Sequence, residues 1–283
     1  MDAAIRTALV AALLALAGTH AIAADEPPGP AAAAPDATGQ DAGITTAGQD
    51  ADTSDGDRDS SSIEAAGRAI FEHDRAAAVA TDVAMAQRAF KRDKRVRGWL
   101  TEAREGGIIV TFIDETPSAL YRVLVSAEGE PSPLLPLEAP VPLSAFESGA
   151  AAARRLALAA PFQACSRTYN TVVLPDAAFD GGWVVYLLPG TTRHDVVPVG
   201  GTYRLEVRDG AVAAQRGFTR SCIALNRGPD VAAMMITHIL DPVPTEAHVY
   251  WSLWADTPMY VSTEGGVWKI EQGRVSAVSR DGD

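Results

Sequence analysis

The residues best suited to chemistry fall in one short stretch, Thr237-His238-Ile239-Leu240-Asp241-Pro242-Val243-Pro244-Thr245-Glu246-Ala247-His248. Two histidines and one carboxylate make the donor set of a two-His-one-carboxylate metal centre, whose open coordination positions take water or substrate. The pattern predicts a strand up to Leu240, a connection through the two prolines, and a return strand from Glu246. Side chains two apart on a strand share a face. If Leu240 pairs with Glu246, His238 therefore stands opposite His248, with Glu246 beside them. Such a cluster would serve a metal-dependent hydrolase with His238, Glu246 and His248 as ligands. A slip of one residue would scatter the set, and a half-buried, hydrogen-bonded His pair explains the same residues without a metal. Apart from this divalent ion no cofactor is expected.

Other residues could act by binding. Tyr250, Trp251, Trp254 and Tyr260 form an aromatic row. Strand alternation would put Tyr250 and Trp254 on one side and Trp251 on the other, one set packing and the other forming a platform for sugar or peptide. Arg88, Lys91, Arg92, Lys94, Arg95 and Arg97 form a basic run broken only by Asp93. It suits peripheral contact with an anionic membrane or polysaccharide, a return onto the acidic segment described below, or simply a solvated helix end that complements the helix dipole. His73, between Glu72 and Asp74, is expected in solvent, and His194 in a loop. No Gly-x-Ser-x-Gly, His-Glu-x-x-His, Ser-x-x-Lys or phosphate-loop pattern occurs, and Ser166 and Ser221 have no evident base.

The wider chain sets the context for these residues. It has 283 residues and a formal net charge of −12. Residues 1–23 combine Arg6, a short apolar run and an Ala21-Ile22-Ala23 end, the pattern of a cleaved export signal. The apolar run is shorter than the ~20 residues of a membrane-spanning helix, and no second such segment follows. With no cysteine near the cleavage point, lipid attachment is not expected, and the destination is the periplasm or the medium. Residues 24–62 hold nine acids and one base, two-thirds of the net charge. With almost no large apolar side chain, they are predicted to be a disordered linker. Asp55, Asp57 and Asp59 imitate the start of a calcium loop, but Ser60 and Ala66 occupy the positions where Gly and Glu are required. Little net charge remains elsewhere, so nucleic acid is not an expected partner.

The two cysteines, Cys165 and Cys222, are predicted to form a disulfide in an oxidising compartment. Apolar residues at three- and four-residue steps from Ile63 to Phe90 predict one or two helices, capped at Ser61 by Glu64 and ending near Arg92. Gly106-Gly107, Gly181-Gly182, Gly200-Gly201 and Gly265-Gly266 each precede a β-type run, and Asp209-Gly210 marks a tight turn. The proline-rich residues 130–142 are predicted to cross between units. Ser144 and Glu147 cap a bridging helix over 143–161, stopped by Pro161. Residues 162–279, with all but one of the tryptophans, predict a mainly antiparallel body of about eight strands, including one over 218–225. The fold class expected is α+β. An N-terminal helical segment with a small β-hairpin unit (63–142) leads through the bridging helix to a β-rich domain braced by one disulfide.

Two resemblances add to this. Met259-Tyr-Val-Ser-Thr-Glu-Gly-Gly-Val-Trp-Lys-Ile-Glu-Gln-Gly-Arg-Val275 resembles one unit of the propeller repeats of sensor proteins. It does not recur, and a propeller needs about four blades or more, so a lone hairpin is expected. Cys165-Ser-Arg-Thr-Tyr-Asn-Thr-Val-Val-Leu-Pro175, with Thr237-His238, Glu246-Ala-His-Val249 and Tyr260-Val-Ser-Thr263, resembles exported Gram-negative proteins of uncharacterised function. That resemblance implies export and carries no activity, cofactor or catalytic residue. The function expected is a non-catalytic binding or structural module acting on another envelope component, a protein or a polysaccharide, with the metal-dependent hydrolase as the alternative.

Overall fold

The computed structural model describes residues 60–193, 195–228 and 230–279. The export signal, the calcium-like aspartates, His194 and nearly all of the acidic linker lie outside the described residues. The last linker residues do not: helix α1 (Ser60–Ala86) already begins at Ser60. Its inward positions Ile63, Gly67, Ile70, Ala77, Ala80 and Ala84 repeat at three- and four-residue steps, as an amphipathic helix requires. Ser61, the expected cap, lies inside the first turn, and Glu64 has other partners. Its carboxylate accepts from Arg68 at 2.8 Å and from the backbone N–H of Val275 at 2.7 Å, tying the first turns of α1 to the C-terminal strand. Gln87 adopts an extended conformation, and the short helix α2 (Arg88–Arg92) follows.

A four-stranded antiparallel meander comes next: β1 (Gly98–Arg104), β2 (Gly107–Ile113), β3 (Ala119–Val125) and β4 (Leu135–Val141). One face packs Val110, Phe112, Leu120 and Val123 against Ala76, Ala80 and Ala84 of α1 and Phe90 of α2. The proline-rich stretch expected to cross between units contains β4. As an edge strand it accommodates Pro136 and Pro140, whose missing N–H groups need no partner there, and its register with β3 is irregular. Helix α3 (Ala145–Ala159) then starts as expected, with Ser144 and Glu147 capping each other reciprocally.

The second sheet is β5 (Tyr169–Pro175), β6 (Trp183–Pro189), β8 (Tyr203–Arg208) and β9 (Ala211–Gly217), antiparallel in that order. The two-residue strands β7 (Val196–Val197) and β10 (Leu225–Asn226) pair beside it. Its central strand β6 is buried on both faces, whereas the edge strand β9 is largely exposed. Val173, Val185 and Leu187 pack under α3, while Val172, Val184 and Tyr186 face the remaining elements. Asp209 and Gly210 turn β8 into β9 with φ of 50° and 74°, the two consecutive positive values that an Asp-Gly hairpin supplies.

The third sheet is β11 (Met234–Thr237), β12 (Met259–Thr263), β13 (Gly266–Glu271) and β14 (Arg274–Ala277), with helix α4 (Glu246–Ala255) between β11 and β12. The β12–β13–β14 portion is the lone hairpin expected, extended by one strand. The return strand expected from Glu246 is instead this helix. β11 runs parallel to β12, and parallel neighbours need a crossover rather than a tight turn. Inside the core α4 is buried on almost every side, from Glu246 through Ser252 and at Ala255, so it shows no amphipathic period. It crosses α1 so closely that a Cβ on Gly67 would lie 2.4 Å from Cβ of Val249. Helix α1 thus packs on the first sheet with one side and on α4 with the other.

The Cys165–Cys222 disulfide is formed, with Cα atoms 5.3 Å apart. It rests on a bare backbone: a Cβ on Gly201, where φ is +88°, would lie 2.6 Å from Cβ of Cys165. The strand expected over 218–225 is a loop up to β10, held by Thr219, whose hydroxyl accepts from Gly201 N–H and donates to the Ser221 carbonyl.

Candidate functional site

Of the residues proposed as a metal set, His238 follows β11, and Glu246 and His248 lie in the first turn of α4. The two imidazoles do meet, in edge-to-face contact with centroids 4.6 Å apart, but Glu246 does not join them. Residues two apart share a face on a strand and stand about 200° apart around a helix, so placing this segment on α4 turns the carboxylate away. It accepts from the Tyr186 hydroxyl at 3.2 Å and has Arg204 3.9 Å away.

The two rings have other partners. Nε2 of His238 lies 2.6 Å from Asp241, which also accepts from Arg216 at 2.6 Å. Nδ1 of His248 accepts the Thr245 backbone N–H at 3.0 Å and lies 2.9 Å from the Thr245 hydroxyl, so the ring acts as the reciprocal cap of its own helix. Burial, with His238 alongside, lowers the His248 pKa to about 3 and keeps the ring neutral. Burial alone would raise the Asp241 carboxyl, but the hydrogen bonds from His238 and Arg216 outweigh it and hold the group at about 2. Among the described residues no three His, Cys, Asp or Glu side chains gather to hold a metal ion. The cluster clamps the link from β11 to α4.

The aromatic platform is also rearranged. Tyr250 is 1% exposed, packs against Trp251, and donates its hydroxyl to Asp74 at 2.9 Å. Trp254 is half-buried, with the Arg227 guanidinium 5.5 Å over its ring. The two therefore do not form one open face. Asp74 also accepts from Asn170 at 3.0 Å, and burial raises its pKa against the effect of both bonds. Tyr250→Phe would remove one donor from this enclosed carboxylate and is expected to cost about 1–3 kcal/mol, read as a lower urea midpoint at unchanged m. An unchanged midpoint would contradict the contact.

The basic run is exposed throughout. Arg95 is clamped by both oxygens of Asp93, and Arg97 folds onto the Lys94 carbonyl. Arg88, Lys91, Arg92 and Lys94 project into solvent on and just after α2.

One constellation was not anticipated from sequence. Between α1 and the β1–β2 and β3–β4 turns runs an open groove of about 570 Å³, lined by Phe71, Glu72, His73, Arg75, Arg104 and Glu128 together with turn backbone. His73, expected in solvent, is only 7% exposed. Its Nδ1 lies 2.8 Å from the Thr101 hydroxyl, and its Nε2 has no partner among the described residues. Burial lowers its pKa to about 4, so the ring is neutral. Glu72 and Arg75 flank it, exposed and without partners among the described residues. The Arg75 guanidinium lies against the β3–β4 turn, where a Cβ on Gly129 would be 2.9 Å from Nη2. Arg104 is bound to Glu102 at 2.7 Å, and Glu128 accepts from Ser126 at 2.8 Å. The Glu-His-Asp-Arg sequence looked like a solvated helix face, and no local signal marked it otherwise.

No known protein family, curated protein or solved structure matches the chain.

Proposed function

We propose that the protein is a non-catalytic binding module of the cell envelope, periplasmic or secreted, that holds a small polar ligand in the groove beside α1. The observation that carries this reading is His73, a residue more than nine-tenths buried whose ring keeps one nitrogen without a partner among the described residues at a groove of small-molecule size. The disulfide and the export-type N-terminus favour an oxidising compartment. No helix among the described residues is long and apolar enough to cross a membrane.

The test is a nuclear magnetic resonance titration of the full mature chain with a panel of small polar fragments. Saturable shifts are expected at the amides of Gly106, Gly107, Ser126 and Gly129. A panel that leaves these amides unmoved, or moves only a different surface, ends the proposal.

The metal-dependent hydrolase retains one supporting observation, the 4.6 Å approach of the His238 and His248 rings. Each ring has one nitrogen engaged, Nδ1 of His248 by Thr245 and Nε2 of His238 by Asp241, and among the described residues no third ligand completes a metal set around the pair. Titration with zinc is therefore expected to leave the melting temperature unchanged. A stoichiometric rise that grows with zinc concentration, as ligand linkage requires, would favour the hydrolase.

A further inference from the structure

We infer that the groove takes a zwitterionic ligand, a free amino acid or a short unblocked peptide. This rests on the groove being the binding site, and it follows from the charges on the groove walls. Two carboxylates, Glu72 and Glu128, and two guanidiniums, Arg75 and Arg104, line the groove. Such a balance disfavours a polyanion as much as a polycation, since each would meet two like charges.

The four charges are not equally available. Arg104 is paired with Glu102, and Glu128, which keeps its charge, accepts from its neighbour Ser126 in the turn. Glu72 and Arg75, one of each sign, are the two with no protein partner among the described residues. They are three residues apart on α1, a spacing that makes them neighbours on the helix surface, yet they are not paired with each other. Arg75 is directed to the β3–β4 turn and lies against Gly129.

A ligand with an ammonium at one end and a carboxylate at the other matches this pair. The carboxylate fits the planar fork of Arg75, which can bind it through two parallel N–H bonds, and the ammonium fits Glu72. Between them in sequence, His73 offers a neutral nitrogen that either accepts or donates according to its tautomer, suited to a peptide amide or a polar side chain. Burial keeps the ring itself uncharged. The groove volume, about 570 Å³, lies within the range of roughly 300–1,000 Å³ typical of small-ligand sites.

The experiment titrates the mature chain with alanylalanine, N-acetyl-alanylalanine, alanylalanine amide and N-acetylglucosamine, following the groove amides. The free dipeptide is expected to shift them saturably, and each blocked form to bind on the order of tenfold or more weakly, the loss for one charge-assisted bond. Arg75→Met and Glu72→Gln, both at exposed positions, should each weaken the free dipeptide by a similar factor. Arg75→Met should also stop distinguishing the dipeptide from its amide, and Glu72→Gln should stop distinguishing it from the N-acetyl form. A general loss of packing would not produce that crossed pattern.

Blocked forms that bind as tightly as the free dipeptide overturn the zwitterion assignment. So does N-acetylglucosamine acting alone, or a free dipeptide that is inert at a groove to which other fragments bind. In each of these cases the groove survives as a site. If no probe of any kind moves the groove amides, the proposed function fails as well.

Discussion

Between pH 7 and pH 4 two buried histidines are expected to withdraw about 6 kcal/mol of stability before any offset, on the scale of the whole stability of an ordinary domain. The effect comes from two buried rings. His73 and His248 have folded pKa values lowered by burial to about 4 and about 3, whereas an unfolded histidine titrates near ~6.5. Between these limits the unfolded chain takes up two protons that the folded chain refuses. The stability is complete above the unfolded pKa and is lost as the pH falls. The slope approaches about 2.7 kcal/mol per pH unit, two protons' worth.

Asp74 works in the opposite direction. Burial raises its carboxyl, so its charged form weakens the fold at neutral pH and acid relieves it, which offsets part of the loss. Asp241, held at about 2, adds a further loss only once the pH drops below ~4, where its unfolded counterpart protonates. Urea unfolding at steps between pH 7.5 and pH 4 measures the slope directly. His73→Gln should roughly halve it. A stability curve flat across this window would mean that neither ring is enclosed as described.

The second large effect is expected from the disulfide. It spans 57 positions, and loop-closure entropy makes its removal worth about 4 kcal/mol. Locally it pins the lead-in to β5 onto the Gly200-Gly201 backbone, where the Cys165 N–H donates to the Tyr169 hydroxyl at 2.9 Å and the Tyr203 hydroxyl donates to the Gln163 carbonyl at 2.9 Å. A Cys165→Ser, Cys222→Ser double variant should unfold at a correspondingly lower urea concentration. A thiol reductant should bring the parent protein to the same midpoint and leave the variant unaffected. Equal midpoints for the parent and the variant without reductant would refute the estimate. Free thiols in protein recovered from its native compartment would also remove the main support for an exported location.

These two effects differ in how far the sequence foretold them. The bridge was legible because an even pair of cysteines after an export-type N-terminus leaves one intramolecular pairing. The acid sensitivity was not. His73 stands between Glu72 and Asp74, a polar run that looks solvated when taken alone. It is buried because α1 is covered on two sides, with Thr101 of β1 meeting His73 and with Tyr250 of α4 and Asn170 of β5 meeting Asp74. No local pattern announces elements that arrive from a hundred residues away.

What the chain determined by itself was its short-range grammar. The glycine pairs and Asp209-Gly210 placed their turns, Ser144 and Glu147 started α3, and three- and four-residue spacing marked α1, because turn and cap energies act within a few residues of their source. The tertiary structure decided which side chains would meet. A segment enclosed on nearly all sides loses its periodicity, so α4 looked like a strand. Once that segment is helical, Glu246 and His248 point in different directions, while His238 and His248 still come together across the β11–α4 link. The groove has the same origin: its floor and walls come from α1 and two turns of the first sheet, and only their packing brings Glu72, His73 and Arg75 to a shared cleft.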